Sequence, residues 1–191
     1  MSHMITRIKS GPIHQEAEKS AAGRRMNIIY CDENGRLTDE IRELMERAAA
    51  EAAELEFGEA LRADDIDPAE TEAEIGVTVV DAEEIRNLNR EYRGNDSVTD
   101  VLSFPQYDDI GDLINDLADS AGPVLLGDVV ICYDKVLGQA EEYGTGVTRE
   151  FVYMFTHSIL HLLGYDHMDE DEKRVMRERE EEILQAIGVT R

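Results

Sequence analysis

The segment from His157 to His167 constrains this chain most strongly, because it holds three of the five histidines in the sequence. His157 and His161 are four residues apart, a spacing that puts two side chains on one face of an α-helix. Apolar residues recur at helical spacing between residues 151 and 163, so the sequence predicts a helix here. Gly164 permits the backbone to reverse, and His167 follows in the loop. Two ligands from a helix and one from the next turn leave a fourth position open, which is typical of a catalytic zinc site.

Ser158 separates this pattern from a large class of zinc proteases that share the same histidine spacing. Those enzymes carry Glu directly after the first histidine, where it takes a proton from zinc-bound water. Here that position is Ser158, which cannot serve as that base. The sequence therefore keeps the metal-ligand geometry and argues against peptide hydrolysis by that mechanism.

The composition fits one domain with a substantial core, because 42% of the 191 residues are hydrophobic. No apolar run approaches the ~20 residues of a membrane span, and the N-terminus lacks the apolar region of a secretory signal. Cys31 and Cys132 give no disulfide framework, so we expect a reducing compartment such as the cytoplasm. The net charge of −24 argues against a protein that binds nucleic acid through broad electrostatics.

Residues 1–25 differ from the rest of the chain in charge and in pattern. They are polar, lack clear periodicity, and carry five Lys or Arg against two Glu. Residues 2–4 look like a cloning remnant, and Met26 could be a natural start. We therefore expect residues 1–25 to be a disordered or cloning-derived tail, and residues 26–191 to form a single domain.

Apolar runs and helical stripes interleave along the folded part of the chain. Short β-rich runs predict strands at residues 26–31, 73–80, 98–104 and 124–132. Apolar periodicity and capping residues predict helices at residues 37–57, 81–93, 133–143, 148–163 and 169–187. Residues 106–122 carry five Asp and are interpreted as a solvated acidic excursion with room for one helical turn. Because no long helix is predicted between the last two strands, we expect an α+β fold. It would be a small mixed sheet of about four strands packed with about five helices, with the metal site at a helix–loop–helix.

Three further residues could take part in the chemistry, and each also has a structural interpretation. Arg93, where a helix ends, could bind phosphate through its guanidinium or interact with the helix dipole. Asp128 interrupts an apolar strand, where it could accept a hydrogen bond from a metal-bound histidine or lie at a surface edge. Asp166, beside His167, could position water or shape the turn.

Three sequence blocks together resemble the YbeY family, the metal-dependent endoribonucleases that act as rRNA maturation factors. Residues 88–105 resemble the family's Leu-Asn, Arg-Gly and Thr-Asp-Val-Leu-Ser-Phe-Pro block, and residues 126–132 resemble its Gly-Asp-Ile strand. Residues 157–167 resemble its His-Gly-x-Leu-His-Leu-x-Gly-Tyr-Asp-His signature. Ser158 replaces the usual Gly and Val98 a usual Pro, and neither departure removes a metal ligand.

The resemblance implies that residues 26–191 are a metallohydrolase domain with one ion on His157, His161 and His167. Zinc is the expected ion, although three histidines also suit nickel or another divalent ion. The resemblance further implies a single-stranded RNA substrate, with Arg93 contacting a phosphate. Asp128 is kept as a second candidate catalytic residue because it interrupts an apolar strand. Expected partners are ribosomal RNA, the small ribosomal subunit and its assembly proteins, in rRNA processing and ribosome quality control in the cytoplasm.

Two alternatives remain open from the residues themselves. One is a zinc hydrolase of another class, such as a peptidase that uses Asp166 or Asp128 as its base. The other is a non-enzymatic ribosome-assembly factor whose metal is structural.

Overall fold

Four strands and seven α-helices make up residues 25–63 and 71–190, the parts of the chain that the computed structural model describes. The strands are β1 (Arg25–Cys31), β2 (Glu72–Val80), β3 (Val101–Pro105) and β4 (Val124–Cys132). The α-helices are α1 (Asp39–Ala53), α2 (Glu59–Ala63), α3 (Ala82–Arg93), α4 (Ile110–Asp119), α5 (Tyr133–Tyr143), α6 (Val147–Leu162) and α7 (Glu170–Ala186). A π-helical segment, Glu54–Gly58, joins α1 to α2.

The sheet confirms the predicted α+β class and its mixed strand directions. Its strand order is β1-β2-β4-β3, with β1 parallel to β2 and β2 parallel to β4. The edge strand β3 pairs antiparallel with β4. The described residues form two more α-helices than the five that we predicted. Helix α2 follows the predicted helix at residues 37–57, and α4 falls in the stretch interpreted as a solvated acidic excursion.

Helix α4 corrects the interpretation of residues 106–122 as a solvated excursion. The side chain of Asp109 caps the helix by accepting a hydrogen bond from the Gly111 amide at 2.7 Å. Leu113 and Leu117, one helical turn apart, are buried in the main core. The acidic residues of this stretch therefore line the outer side of an amphipathic helix, and their density hid its short apolar stripe.

Helices cover both faces of the sheet, and the main core lies on one of them. On β2, alternate residues Ile75, Val77 and Val79 pack into this main core with apolar residues of α1, α6 and α7. A smaller cluster on the opposite face includes Ile85 of α3 and Val130 of β4. The histidine helix α6 therefore lies on the main-core face, where it also packs against β3 and β4.

The start of α7 is fixed by its capping residues, directly after the histidine loop. The Asp169 side chain accepts a hydrogen bond from the Glu172 amide at 2.9 Å, and Glu172 accepts one from the Asp169 amide at 3.2 Å. This reciprocal capping box satisfies amides that the first helical turn leaves unpaired. It confirms the predicted helix start at Asp169.

The tail predicted for residues 1–25 lies outside the described residues, apart from Arg25, which begins β1. Within the described ranges, every helix is too short or too polar to cross a membrane.

Candidate metal centre

The C-terminal end of α6 and the loop after it bring the three predicted histidines together. His157 and His161 lie on one face of the helix, with ring centroids 4.6 Å apart. Gly164 adopts a positive φ of 90°, and the Tyr165 amide donates to the Leu160 carbonyl at 2.9 Å. This turn returns His167 to the helix, with ring centroids 5.6 Å from His157 and 5.1 Å from His161. One nitrogen from each histidine lies within 4.8 Å of the others, so the cluster could hold a metal ion.

The hydrogen bonds of the two helical histidines indicate which ring nitrogens are free to bind a cation. His161 Nδ1 lies 2.9 Å from the Tyr165 carbonyl, which can only accept, so this nitrogen carries the proton. His157 Nδ1 lies 2.7 Å from the Glu180 carboxylate, which places a proton on that nitrogen too. When both imidazoles are neutral, which is the form that binds a metal ion, both Nε2 atoms carry a lone pair.

The two Nε2 atoms face each other at 3.1 Å. Two lone pairs cannot form a hydrogen bond at that distance, but a cation bound to both would satisfy them. Nitrogen ligands at ~2.0–2.1 Å from a tetrahedral zinc ion lie about 3.3–3.4 Å apart. The pair therefore fits a metal ion both in its chemistry and in its spacing.

Glu180 of α7 is the functional residue that sequence reasoning missed. Its side chain is only 6% exposed, and its second oxygen accepts a hydrogen bond from the Tyr153 hydroxyl at 3.1 Å. The sequence carried a signal: Glu180 falls between Met176 and Ile183, inside the predicted apolar stripe of the last helix. A carboxylate in that stripe must have a partner in the core.

Tyr165 ties the histidine loop to two other parts of the chain. Its hydroxyl donates to Glu56, in the π-helical segment, at 2.8 Å. Arg179 of α7 donates from Nε to the same hydroxyl at 3.3 Å and lies 3.0 Å from Glu56. Burial is the main cause that raises the pKa of Tyr165, so the hydroxyl stays protonated as a donor. Tyr165, whose carbonyl orients His161, is therefore held through its backbone amide by Leu160 and through its hydroxyl by Glu56 and Arg179.

Burial also favours the metal-binding form of His161. Desolvation lowers the pKa of His161, and the neighbouring His157 lowers it further. A neutral imidazole is the form that binds a metal ion.

Ser158 and Asp166 both have structural roles. Ser158 is fully buried, and its hydroxyl donates to the Met154 carbonyl one turn earlier at 2.8 Å. The position that holds the base in zinc proteases thus points into the helix packing here. Asp166 accepts a hydrogen bond from the His167 amide at 2.7 Å, which shapes the loop.

Asp128 is not the carboxylate that contacts a histidine. A Cβ atom added to Gly76 would lie 2.2 Å from Asp128 Oδ1, so the Asp128 side chain covers that glycine on the neighbouring strand. Gly76 alternates with Ile75 and Val77, which face the main core, so Asp128 lies on the other face of the sheet from α6. Burial raises the pKa of Asp128. Of the two interpretations of Asp128, the hydrogen bond to a histidine is not found among the described residues, and Glu180 is the carboxylate that contacts His157.

Arg93 lies at the exposed end of α3, and its Nη2 donates to the Ser103 carbonyl of β3 at 3.3 Å. The histidine helix packs against the same strand and against β4. A Cβ on Gly127 of β4 would lie 2.9 Å from Leu162, next to His161, and 2.3 Å from the Phe104 carbonyl of β3. Arg93 and the histidine helix therefore both contact β3, Arg93 at Ser103 in the middle of the strand.

The fold and the site define an α+β domain with an open three-histidine cluster that could hold a metal ion. The profile of the endoribonuclease YbeY family matches residues 28–188, so the chain belongs to the YbeY family.

Relatives agree with that assignment over most of the chain. Endoribonuclease YbeY of Agathobacter rectalis is 48% identical over 129 residues, which cover 63% of this chain and 78% of the relative. Endoribonuclease YbeY of Geobacillus sp. (strain WCH70) is 38% identical over 166 residues, covering 87% of this chain and 99% of the relative. A solution structure from Thermotoga maritima covers 84% of this chain and 91% of its own, with a TM-score of 0.47 at 24% identity.

Proposed function

We propose that this protein is a metal-dependent endoribonuclease, specific for single-stranded RNA, that acts in processing and maturation of small-subunit ribosomal RNA and in ribosome quality control. Family membership and the endoribonuclease names of its relatives support the reaction class. The observation that carries the proposal is the pair of facing Nε2 atoms on His157 and His161, 3.1 Å apart, with His167 beside them.

In this proposal the three histidines hold one divalent ion, with Zn²⁺ expected first and Ni²⁺ or another ion as alternatives. When bound, such an ion supplies Lewis acidity, which activates water and offsets charge on a phosphate oxygen. Three protein ligands leave room for a ligand from solvent or substrate, whereas structural zinc sites use four. The exposure of His167 keeps this room accessible from solvent.

Arg93 is the proposed phosphate contact. It is exposed, and its one hydrogen bond among the described residues, to Ser103, uses a single nitrogen of the guanidinium. The remaining N–H donors can bind two oxygens of one phosphate, which would orient the RNA backbone along β3.

The residues considered as a base for the peptidase alternative each have another role in the described part of the chain. Ser158 donates into its own helix, Asp166 accepts from the loop backbone, and Asp128 lies on the opposite face of the sheet. Cleavage of a phosphodiester does not require a carboxylate base from the protein, because water activated by the ion, or the RNA 2′-hydroxyl, can serve as the nucleophile.

The proposed partners are ribosomal RNA, the small ribosomal subunit and its assembly proteins, in the cytoplasm. A net charge of −24 repels free RNA over most of the surface. Partner proteins would therefore supply much of the docking surface, and the enzyme itself would contact only a short single-stranded segment.

The test measures metal content and RNA cleavage in the wild type, in His161→Ala, and in His14→Ala as a matched histidine control. We expect His161→Ala to lose both the ion and cleavage of a single-stranded oligonucleotide, while His14→Ala keeps both. Duplex RNA should resist the wild type. If metal-free His161→Ala cleaved RNA at the rate of the wild type, the proposal would be contradicted. That result would favour an assembly factor with a structural metal. Chelator-sensitive cleavage of peptides instead of RNA would favour the peptidase.

The product ends separate the two possible nucleophiles. A 2′,3′-cyclic phosphate would identify the 2′-hydroxyl of the RNA as the attacking group, and a linear phosphate formed directly would identify water.

A further inference from the structure

We propose that Glu180 is the positioning residue of the metal centre: it orients His157 and thereby sets the affinity of the histidine cluster for a divalent cation. The inference rests on the proposed metal-binding role of the histidines, but not on RNA cleavage. It assigns a function to a residue of α7 that lies outside the histidine motif, thirteen positions after its last member.

The geometry of Glu180 matches a residue that holds an imidazole in place. One carboxylate oxygen lies 2.7 Å from His157 Nδ1, and the other accepts from the Tyr153 hydroxyl at 3.1 Å. Tyr153 also lies one helical turn before His157, with the two rings nearly parallel and their centroids 6.4 Å apart. His157 is therefore held at its ring face and at Nδ1, and the remaining nitrogen points at His161.

Stability alone gives no reason for a carboxylate at this position. Glu180 occupies a position in the buried, otherwise apolar stripe of α7, between Met176 and Ile183. Burying a carboxylate carries a desolvation cost that its partners must offset, and a well-packed apolar side chain avoids that cost. A carboxylate that accepts from a metal-binding histidine fixes the tautomer and makes the other nitrogen a stronger ligand. The stronger ligand nitrogen contributes free energy only when a cation binds.

The two helical histidines differ in a way that makes Glu180 the informative residue. His161 is oriented by the backbone carbonyl of Tyr165, which no side-chain substitution removes. His157 depends on a side chain from another helix. Substitution of Glu180 therefore changes the orientation of one ligand and leaves all three ligands in the chain.

The experiment measures the Zn²⁺ affinity of the purified full-length chain by competition with a chromogenic chelator, and the Tm of the metal-free protein. Glu180→Gln keeps the size of the side chain and removes its charge. Glu181→Gln is the matched control, because it removes the same charge from the adjacent, exposed position on α7. We expect Glu180→Gln to weaken zinc binding about 10–100-fold, with Glu181→Gln unchanged and the Tm of both metal-free variants close to the wild type.

A spectroscopic signature separates positioning from a general structural role. In Glu180→Ala the tautomer of His157, read from ¹H–¹⁵N correlations of the metal-free protein, should shift away from Nδ1–H, while His161 keeps its tautomer. Zinc affinity of Glu180→Gln equal to that of Glu181→Gln would overturn the inference, whether or not the wild type cleaves RNA. If Glu180→Gln does not fold, Tyr153→Phe decides: weaker zinc binding supports the inference and unchanged binding overturns it.

Discussion

Gly127 of β4 lies beside the backbone of β3 and beside Leu162 of the histidine helix, and Gly127→Ala tests how closely these elements pack. A Cβ at this position would lie 2.3 Å from the Phe104 carbonyl oxygen, 2.9 Å from Leu162 Cδ2 and 3.1 Å from Pro105 Cα. Two of these atoms belong to the backbone of β3 and cannot move independently. Gly127 also has a φ of 150°, a conformation that L-residues rarely adopt.

The cost of this substitution has two parts. The strained backbone costs about 1–3 kcal/mol, and inserting a methyl group into closely packed surroundings costs about 1–3 kcal/mol more. For a chain of this size, 1 kcal/mol corresponds to roughly 2–4 °C in Tm. We therefore expect Gly127→Ala to lower the Tm by roughly 5–20 °C. Zinc affinity should fall as well, because Leu162 directly follows His161.

Thermal unfolding followed by circular dichroism measures this effect, with Gly138→Ala as the matched control. Gly138 lies inside α5, is exposed, and has no atom within 4 Å of the position of an added Cβ. The same chemical change there should stabilise the protein by about 0.5–1 kcal/mol, because alanine favours the helix over glycine. If Gly127→Ala unfolds within about 2 °C of the wild type, the backbone of β3 at Phe104 and Pro105 does not approach Gly127 as closely as described.

Two further predictions concern Arg93 and Asp128. Arg93→Lys keeps the charge at the end of α3 but removes the planar guanidinium. RNA cleavage should therefore fall roughly tenfold, while the Tm and the zinc affinity stay unchanged. Undiminished cleavage would exclude bidentate phosphate binding. Burial raises the pKa of Asp128 in the folded state, so its carboxyl favours folding while protonated, and this stability is lost as pH rises from about 4 through the folded pKa. Asp128→Asn should therefore stabilise the protein at pH 7 and have little effect at pH 3, as measured by urea unfolding. An equal effect at both pH values would contradict this account, and zinc affinity should not change.

The histidine cluster was predictable because its geometry is local. The spacing of His157 and His161 sets their common face, and Gly164 allows the turn that returns His167. Helix α4 is equally local, but its apolar residues Leu113 and Leu117 were outweighed by the acidic residues around them. An amphipathic stripe of two buried leucines is enough for a helix when the sheet beside it offers an apolar surface.

The face on which Asp128 lies was not predictable, because it depends on pairing between strands. Side chains alternate between the two faces of a strand, so regular alternation from the buried Leu126 would put Asp128 on the main-core face. The pairing of β4 with β2 shifts register there: Glu74 pairs with Leu125, whereas Ile75 pairs with Gly127. This β-bulge moves every later residue of β4 to the other face, so Val129 joins Leu126 in the main core. Nothing in the sequence of β4 alone specifies the bulge.

The contrast between His157 and His161 shows why the histidine motif alone does not specify the metal centre. Two histidines four residues apart can lie on any exposed helix without binding an ion, because each ring can turn freely about its side chain. Here one ring is fixed by a carbonyl that the Gly164 turn creates, so the motif carries its own support for His161. The other ring is fixed by Glu180, which reaches it only because α7 packs against α6. The ligands are therefore set by local sequence, whereas the orientation of His157 depends on the packing of α7 against α6. Substitution of Glu180 in α7 should therefore weaken metal binding although it removes no ligand.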